Sequence, residues 1–209
     1  MFYLACTRFN HNTYAENMNY RHKNNINAIY GSTLKIRGIY SQGCLMFIAE
    51  MNNQTNEIEG IGLIQNLLVC NKSHNIYENS EYNRYIYKGK YWLSRSQINE
   101  LNPQILEIFD NILFKKKSHL KCRIGITIIT EKIFAHWDYE LQLLKNMVKK
   151  LFLDYFKNNI DDEFENEENG KKEENEKNEE NEKKEQRQET LEHFEIIPKY
   201  RKNNKKNNK

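Results

Sequence analysis

The sequence predicts an α+β domain, with a small curved mixed β-sheet or barrel, helices packed outside it, and a disordered charged C-terminal tail. Three observations lead there. Two apolar runs, Cys44–Met51 and Ile58–Ile64, are joined by a polar link of Asn, Gln and Thr, which is the pattern of a β-hairpin. The segments after Asn102-Pro103 and after Asp138 carry apolar residues at helical spacing. From about residue 159 the chain becomes a Glu-Asn-Lys tract almost without apolar side chains.

The first apolar run is the organising strand. Met46 and Ile48 would lie on one face, and Leu45, Phe47 and Ala49 on the other. A strand apolar on both faces needs a cover on both, so it belongs at the centre of a sheet or in a barrel wall.

Taken in order, residues 2–7 (FYLACT) read as a first strand. Thr13 and Glu16 have capping-box spacing and predict a short helix over residues 14–23. Its amphipathicity is thin, with Tyr14 and Met18 apolar and Asn17, Tyr20, Arg21 and Lys23 on its surface, so it is expected over the domain edge. Residues 24–43 read as a loop. Lys88-Gly89, between two aromatic alternating segments, predicts a tight second hairpin over residues 82–95, with Gly89 at positive φ. Asn102 as cap and Pro103 as first residue open a helix. Ile105, Leu106, Ile108, Phe109, Ile112 and Leu113 form its buried stripe. A strand is expected around Cys122–Ile129, and the longest helix from Asp138 to about Phe156.

Domain boundaries follow from charge. Residues 1–157 form the domain, 158–192 an acidic low-complexity linker and 193–209 a basic tail. Residues 1–160 hold 20 Lys and Arg against 13 Asp and Glu, residues 161–192 hold 6 against 15, and residues 193–209 hold 6 against 1. A basic body admits a polyanionic partner without requiring one. The acidic tract cannot bury enough surface to offset chain entropy. The tail, with its apolar island at 191–200, is a candidate docking segment for a protein partner.

Cys6, Cys44, Cys70 and Cys122 show no CxxC spacing, and three of them stand among apolar neighbours, as small buried hydrophobes do. Without a secretory leader a disulfide framework is not expected. No apolar run approaches the roughly 20 residues of a membrane helix. The expectation is a soluble intracellular protein with reduced thiols and no membrane association.

No motif identifies a reaction. There is no HExxH, no GxSxG, no P-loop and no Cys/His cluster at metal spacing, so no catalytic residue, metal or cofactor is expected. Gly60 and Gly62 lack the third glycine of a dinucleotide fingerprint and read as a bend or a close backbone approach. Glu57 and Glu59 share a strand face beside the turn, where solvent exposure outweighs an acid–base role. His119 and His136 are scattered.

The positive signal is interleaved aromatic and basic residues. Tyr82, Arg84, Tyr85, Tyr87, Lys88, Lys90, Tyr91, Trp92 and Arg95 crowd one stretch. Exposed aromatics on a sheet stack bases and nearby cations hold phosphates; cross-strand aromatic packing is the alternative. Lys115–Lys117, Lys121 and Arg123 would extend the cationic surface.

The order of a first strand, a turn and the short helix of NTYAENMNYR, followed by an apolar strand, a link and GIGLI, resembles the PUA-like superfamily, in particular its EVE, YTH and ASCH branches. The resemblance covers roughly residues 1–135. Ser41-Gln42-Gly43-Cys44 stands where that family carries Gly-Asp, so the Asp is missing. The chain is also similar to proteins of large DNA viruses, which would place it in a host cytoplasm or a virion. The resemblance implies a barrel that binds nucleic acid and receives a modified or flipped base in an aromatic pocket. The matching positions are Arg8, Asn10, Tyr14, Asn17, Tyr20, Tyr40 and Ser41, with any ligand near Tyr40–Gly43. The leading expectation is therefore a non-enzymatic module that binds RNA or DNA. A protein-interaction or virion-associated protein is the alternative, and a nucleic-acid-modifying enzyme the third.

Overall fold

A computed structural model of the chain describes residues 2–70, 73–116, 119–121 and 124–156. The expectations for the acidic linker, the basic tail, Lys117, Cys122 and Arg123 lie outside these residues. All the described residues belong to the first of two units into which the chain divides, Met1–Glu167.

The elements run β1 (Phe2–Phe9), α1 (His11–Asn24), β2 (Ala28–Ser32), β3 (Leu45–Asn52), β4 (Glu57–Gln65), a 3-10 turn (Ser80–Asn83), β5 (Tyr85–Gly89), β6 (Tyr91–Ser94), α2 (Arg95–Leu101), α3 (Pro103–Phe114), β7 (Thr127–Ile128), α4 (Glu131–Phe134) and α5 (Leu141–Tyr155). One mixed sheet has the order β6-β4-β3-β1-β7, and a second, two-stranded sheet pairs β2 with β5. β1 and β3 are parallel, and the other pairings are antiparallel. The larger sheet ends in β6 and β7 as free edges, so it is an open sheet and not a closed barrel.

The expected hairpin is β3–β4, and every residue of β3 is buried. Leu45, Phe47 and Ala49 enter a core shared with Ile105, Phe109 and Ile112 of α3 and Leu144, Val148 and Phe152 of α5. Met46 and Ile48 enter a second core with Ile29 and Tyr30 of β2 and Ile86 and Tyr87 of β5. The sheet is therefore covered by helices on one side and by the small sheet on the other, which is why its middle strand tolerates no solvent face.

Several local expectations are corrected. α1 starts at His11, three residues before the expected start. Asn10 is its cap, accepting from Thr13 N at 2.8 Å, while Thr13 Oγ1 accepts from Asn10 N at 3.0 Å. Thr13 is thus the third-position partner of the capping box and not the cap itself. Residues 28–32 form a strand inside the expected loop. β5 and β6 do not pair as a hairpin, because β5 joins β2 while β6 joins β4. Gly89 accordingly has no positive φ. It is small because a Cβ there would lie 1.8 Å from Leu63 O, where β5 crosses β4. The expected strand around 122–129 is the two-residue β7, paired to Ala5 and Cys6 of β1.

Among the described cysteines, Cys6 and Cys44 are buried and Cys70 is exposed. Burial pushes the Cys6 thiol up to about 12. Its folded value lies above the unfolded one, so this stabilisation is complete below the unfolded pKa near 9 and is lost as pH rises towards 12. Alkylation of the native protein at pH 8 followed by peptide mapping is expected to label Cys70 and spare Cys6 and Cys44 until denaturant is added. Early labelling of Cys6 would contradict the buried position of β1.

Candidate ligand-binding cleft

β1 and β3 run side by side in the same direction, and α1 starts one residue beyond the end of β1. A cavity of about 400 Å³ opens at that end of the sheet. Its walls come from the end of β1 (Thr7, Arg8, Phe9), the start of α1 (Asn10, Thr13), the end of β2 (Gly31, Ser32, Thr33), the β3–β4 turn (Asn53), Tyr77 and Tyr82, and Ile124 with Gly125.

The aromatic wall is held by backbone chemistry. Asn83 Oδ1 accepts from Ile76 N and Tyr77 N, both at 3.0 Å, and its Nδ2 donates to Tyr77 O at 2.8 Å. This clamp folds the segment back so that the Tyr77 and Tyr82 rings meet edge to face, with centroids 5.9 Å apart. Gly31 lets the turn approach, since a Cβ there would lie 2.2 Å from Tyr82 O. Tyr77 is buried, whereas Tyr82 keeps 37% of its surface exposed.

The polar wall is mostly self-satisfied. Of the leading amides of α1, His11 N donates to Gln54 Oε1, Thr13 N to Asn10 Oδ1 and Tyr14 N to Asn10 O. That leaves little of the helix N-terminus to cradle a phosphate. Arg8 and Asn53 both donate to the carbonyl of Lys121, at 3.0 Å each. Asn53 Oδ1 is buried and has no partner among the described residues. The cleft therefore sets the exposed Tyr82 ring beside an exposed arginine.

Behind the cleft lies a buried polar cluster that sequence reasoning missed. Glu50 sits on the β2-facing side of β3 and is 0% exposed, and Arg21 of α1 is 3% exposed. Glu50 Oε1 accepts from Arg21 Nη2 at 2.5 Å, Tyr30 Oη at 2.7 Å and Trp92 Nε1 at 2.9 Å. Burial works against the charge on Arg21, but the carboxylate beside it outweighs that, so its pKa lies above the usual value. Burial, with Glu50 adding to it, raises the Tyr30 phenol well above its ordinary range. Gly60 and Gly62 make this convergence possible. A Cβ on Gly62 would lie 2.1 Å from Tyr30 Oη, and one on Gly60 would lie 2.9 Å from Trp92 Nε1. The signal was a lone carboxylate in an otherwise apolar strand, facing an Asn17–Arg21 pair one helical turn apart.

The expected ligand residues divide. Arg8 and Asn10 line the cleft. Tyr14 packs against Phe9, and Asn17 is buried, donating to Ile29 O at 2.9 Å and Tyr77 Oη at 3.0 Å. Neither faces the cavity; they stand behind its wall. Tyr20 is bonded to His74 Nδ1 at 2.7 Å, away from it. Tyr40 packs on Tyr3, and the Ser41 carbonyl accepts from Asn66, at the opposite end of β1 and β3. The Tyr40–Gly43 turn thus feeds the start of β3, whereas this cavity lies beyond its end.

The aromatic-basic stretch is largely spent on structure. Tyr87 and Tyr91 are buried, Tyr85 is partly buried in the second core, and Trp92 serves Glu50. Arg95 donates to Ile58 O and to Asp110, whose carboxylate ties α3 to β4. Arg84 pairs with Glu81 at the surface. Lys88 and Lys90 are exposed, and Lys121 is partly exposed and presents its carbonyl to the cleft. Glu57 reaches Arg95 at 3.3 Å, and Glu59 accepts from Asn52 at 2.6 Å. Among the described residues no group of three or more His, Cys, Asp or Glu is placed to hold a metal ion, and no helix is long and apolar enough to cross a membrane.

Comparison with protein families, with curated proteins and with solved structures finds no match for this chain.

Proposed function

We propose that the chain is a nucleic-acid-binding module that takes one unpaired base into the cleft at the end of β1. The observation that carries this is the exposed Tyr82 ring lining the same cavity of about 400 Å³ as the exposed Arg8. That volume lies within the range of small-ligand pockets. A planar heterocycle can stack on an aromatic ring. Arg8, exposed at the same site, suits a flanking phosphate. The PUA-like reading of the fold goes with this, since the first strand, capped helix and central hairpin follow the implied order, and the cleft sits where the strand meets the helix. In this reading the sheet is an opened relative of that barrel.

The test is fluorescence anisotropy of the full chain with labelled single-stranded RNA and DNA, each across a salt series. Binding is expected, with affinity falling as salt rises. Tyr82→Ala is expected to lose about 1–3 kcal/mol of it, the usual worth of a base–aromatic stack, while Lys88→Ala at the distal exposed strand end changes little. Equal and negligible retention of every oligonucleotide at low salt would end the proposal.

A further inference from the structure

We propose that the polar cluster behind the cleft is a binding site for one internal water molecule, bridging Asn17 Oδ1, Arg21 Nε and Glu50 Oε2. Each of these three atoms is buried and has no hydrogen-bonding partner among the described residues.

Their neighbours are lavishly bonded. Glu50 Oε1 takes three donors, yet its sister oxygen takes none. Arg21 reaches that carboxylate end-on through Nη2, leaving Nε–H free of the fork that a two-point pair would use. Asn17 spends both donors of its amide on Ile29 O and Tyr77 Oη. Ile29 O can only accept, so the amide cannot turn round, and its oxygen is left facing away from both partners.

The three atoms belong together. Asn17 and Arg21 are one turn apart on α1 and share its buried face, and Arg21 already touches Glu50. The set comprises one donor and two acceptors. Water supplies the complement, accepting from Arg21 Nε and donating to Glu50 Oε2 and Asn17 Oδ1. Three bonds is the usual complement of an internal water. A cation would meet the guanidinium and an anion the carboxylate, so the neutral molecule is the one that suits both. Leaving all three bare would instead cost the full desolvation of each group.

The water would complete a continuous hydrogen-bonded chain, running from Tyr77 in the cleft wall through Asn17 to the Glu50–Arg21 pair. This does not depend on what the cleft binds.

The experiment is a crystal structure of the protein at a resolution that shows ordered solvent. A single water within hydrogen-bonding distance of all three atoms is expected. A dry site, or Arg21 Nε paired directly with Glu50 Oε2, would overturn the proposal. In solution, the Arg21 Nε–H proton of the full chain is expected to show a nuclear Overhauser contact with water bearing the sign of a bound molecule. Absence of that contact, with the Arg21 signal itself sharp and assigned, counts against the water equally.

Discussion

Replacing Glu50 by alanine is expected to destabilise the protein by about 3–5 kcal/mol, the range for removing one partner of a buried ion pair. The loss comes less from the bonds removed than from what they leave behind. Arg21 would keep its charge with 3% of its surface exposed, and the Tyr30 hydroxyl and Trp92 indole would lose their acceptor. Glu50→Gln keeps an acceptor oxygen and is expected to cost less. The double variant Glu50→Leu with Arg21→Met is expected to be far milder than the sum of its parts, because it removes both charges together. Urea denaturation of Glu50→Ala, Glu50→Gln, the double variant and its two single components checks this. Additive costs would show that the two side chains do not act as a pair.

Gly89→Ala is the second change with a large expected effect. Overpacking a core position ordinarily costs about 1–3 kcal/mol, because side chains can still turn aside. Here the added carbon would lie 1.8 Å from a backbone oxygen, Leu63 O, and 2.8 Å from its carbonyl carbon, and neither can rotate away. A loss at or above the upper end of that range is therefore expected, as β5 is pushed off β4. Gly38→Ala is the control. Nothing lies within 4 Å of its added carbon, and its φ is not positive, so its midpoint should scarcely move. Equal thermal shifts for the two variants would contradict the close crossing.

What could be read from the residues, and what could not, follows from how each element buries itself. β3 was legible because it is apolar on both faces, and α3 and α5 because one stripe of each is apolar. α1 was misplaced for the opposite reason. Its buried face is Asn17 and Arg21, and a polar stripe that serves a buried carboxylate looks like a solvent face. β2 was read as loop because AIYGS is short and contains Gly31, whose role is to admit the Tyr82 carbonyl. β5 and β6 read as a hairpin because they are one residue apart, while their partners, β2 and β4, are far from them in sequence. Of the cleft, Arg8 and Asn10 were expected from family likeness. Tyr82 belonged to the aromatic–basic stretch, but Tyr77 and Asn53 were not expected, since only the Asn83 clamp and the β3–β4 turn bring them to it.

The parallel pairing of β1 with β3 sets the order in which the molecule can assemble. Phe2 pairs with Leu45 and Phe9 with Asn52, so every bond between these strands closes a span of 43 residues. β1's other neighbour, β7, comes later still, at Thr127–Ile128. β3 and β4 can zip together locally, but β1, which leaves the ribosome before either of its partner strands, must wait for them. Synthesis thus exposes β1 before the strands that pair with it exist, and the nascent chain is most prone to self-association during that interval.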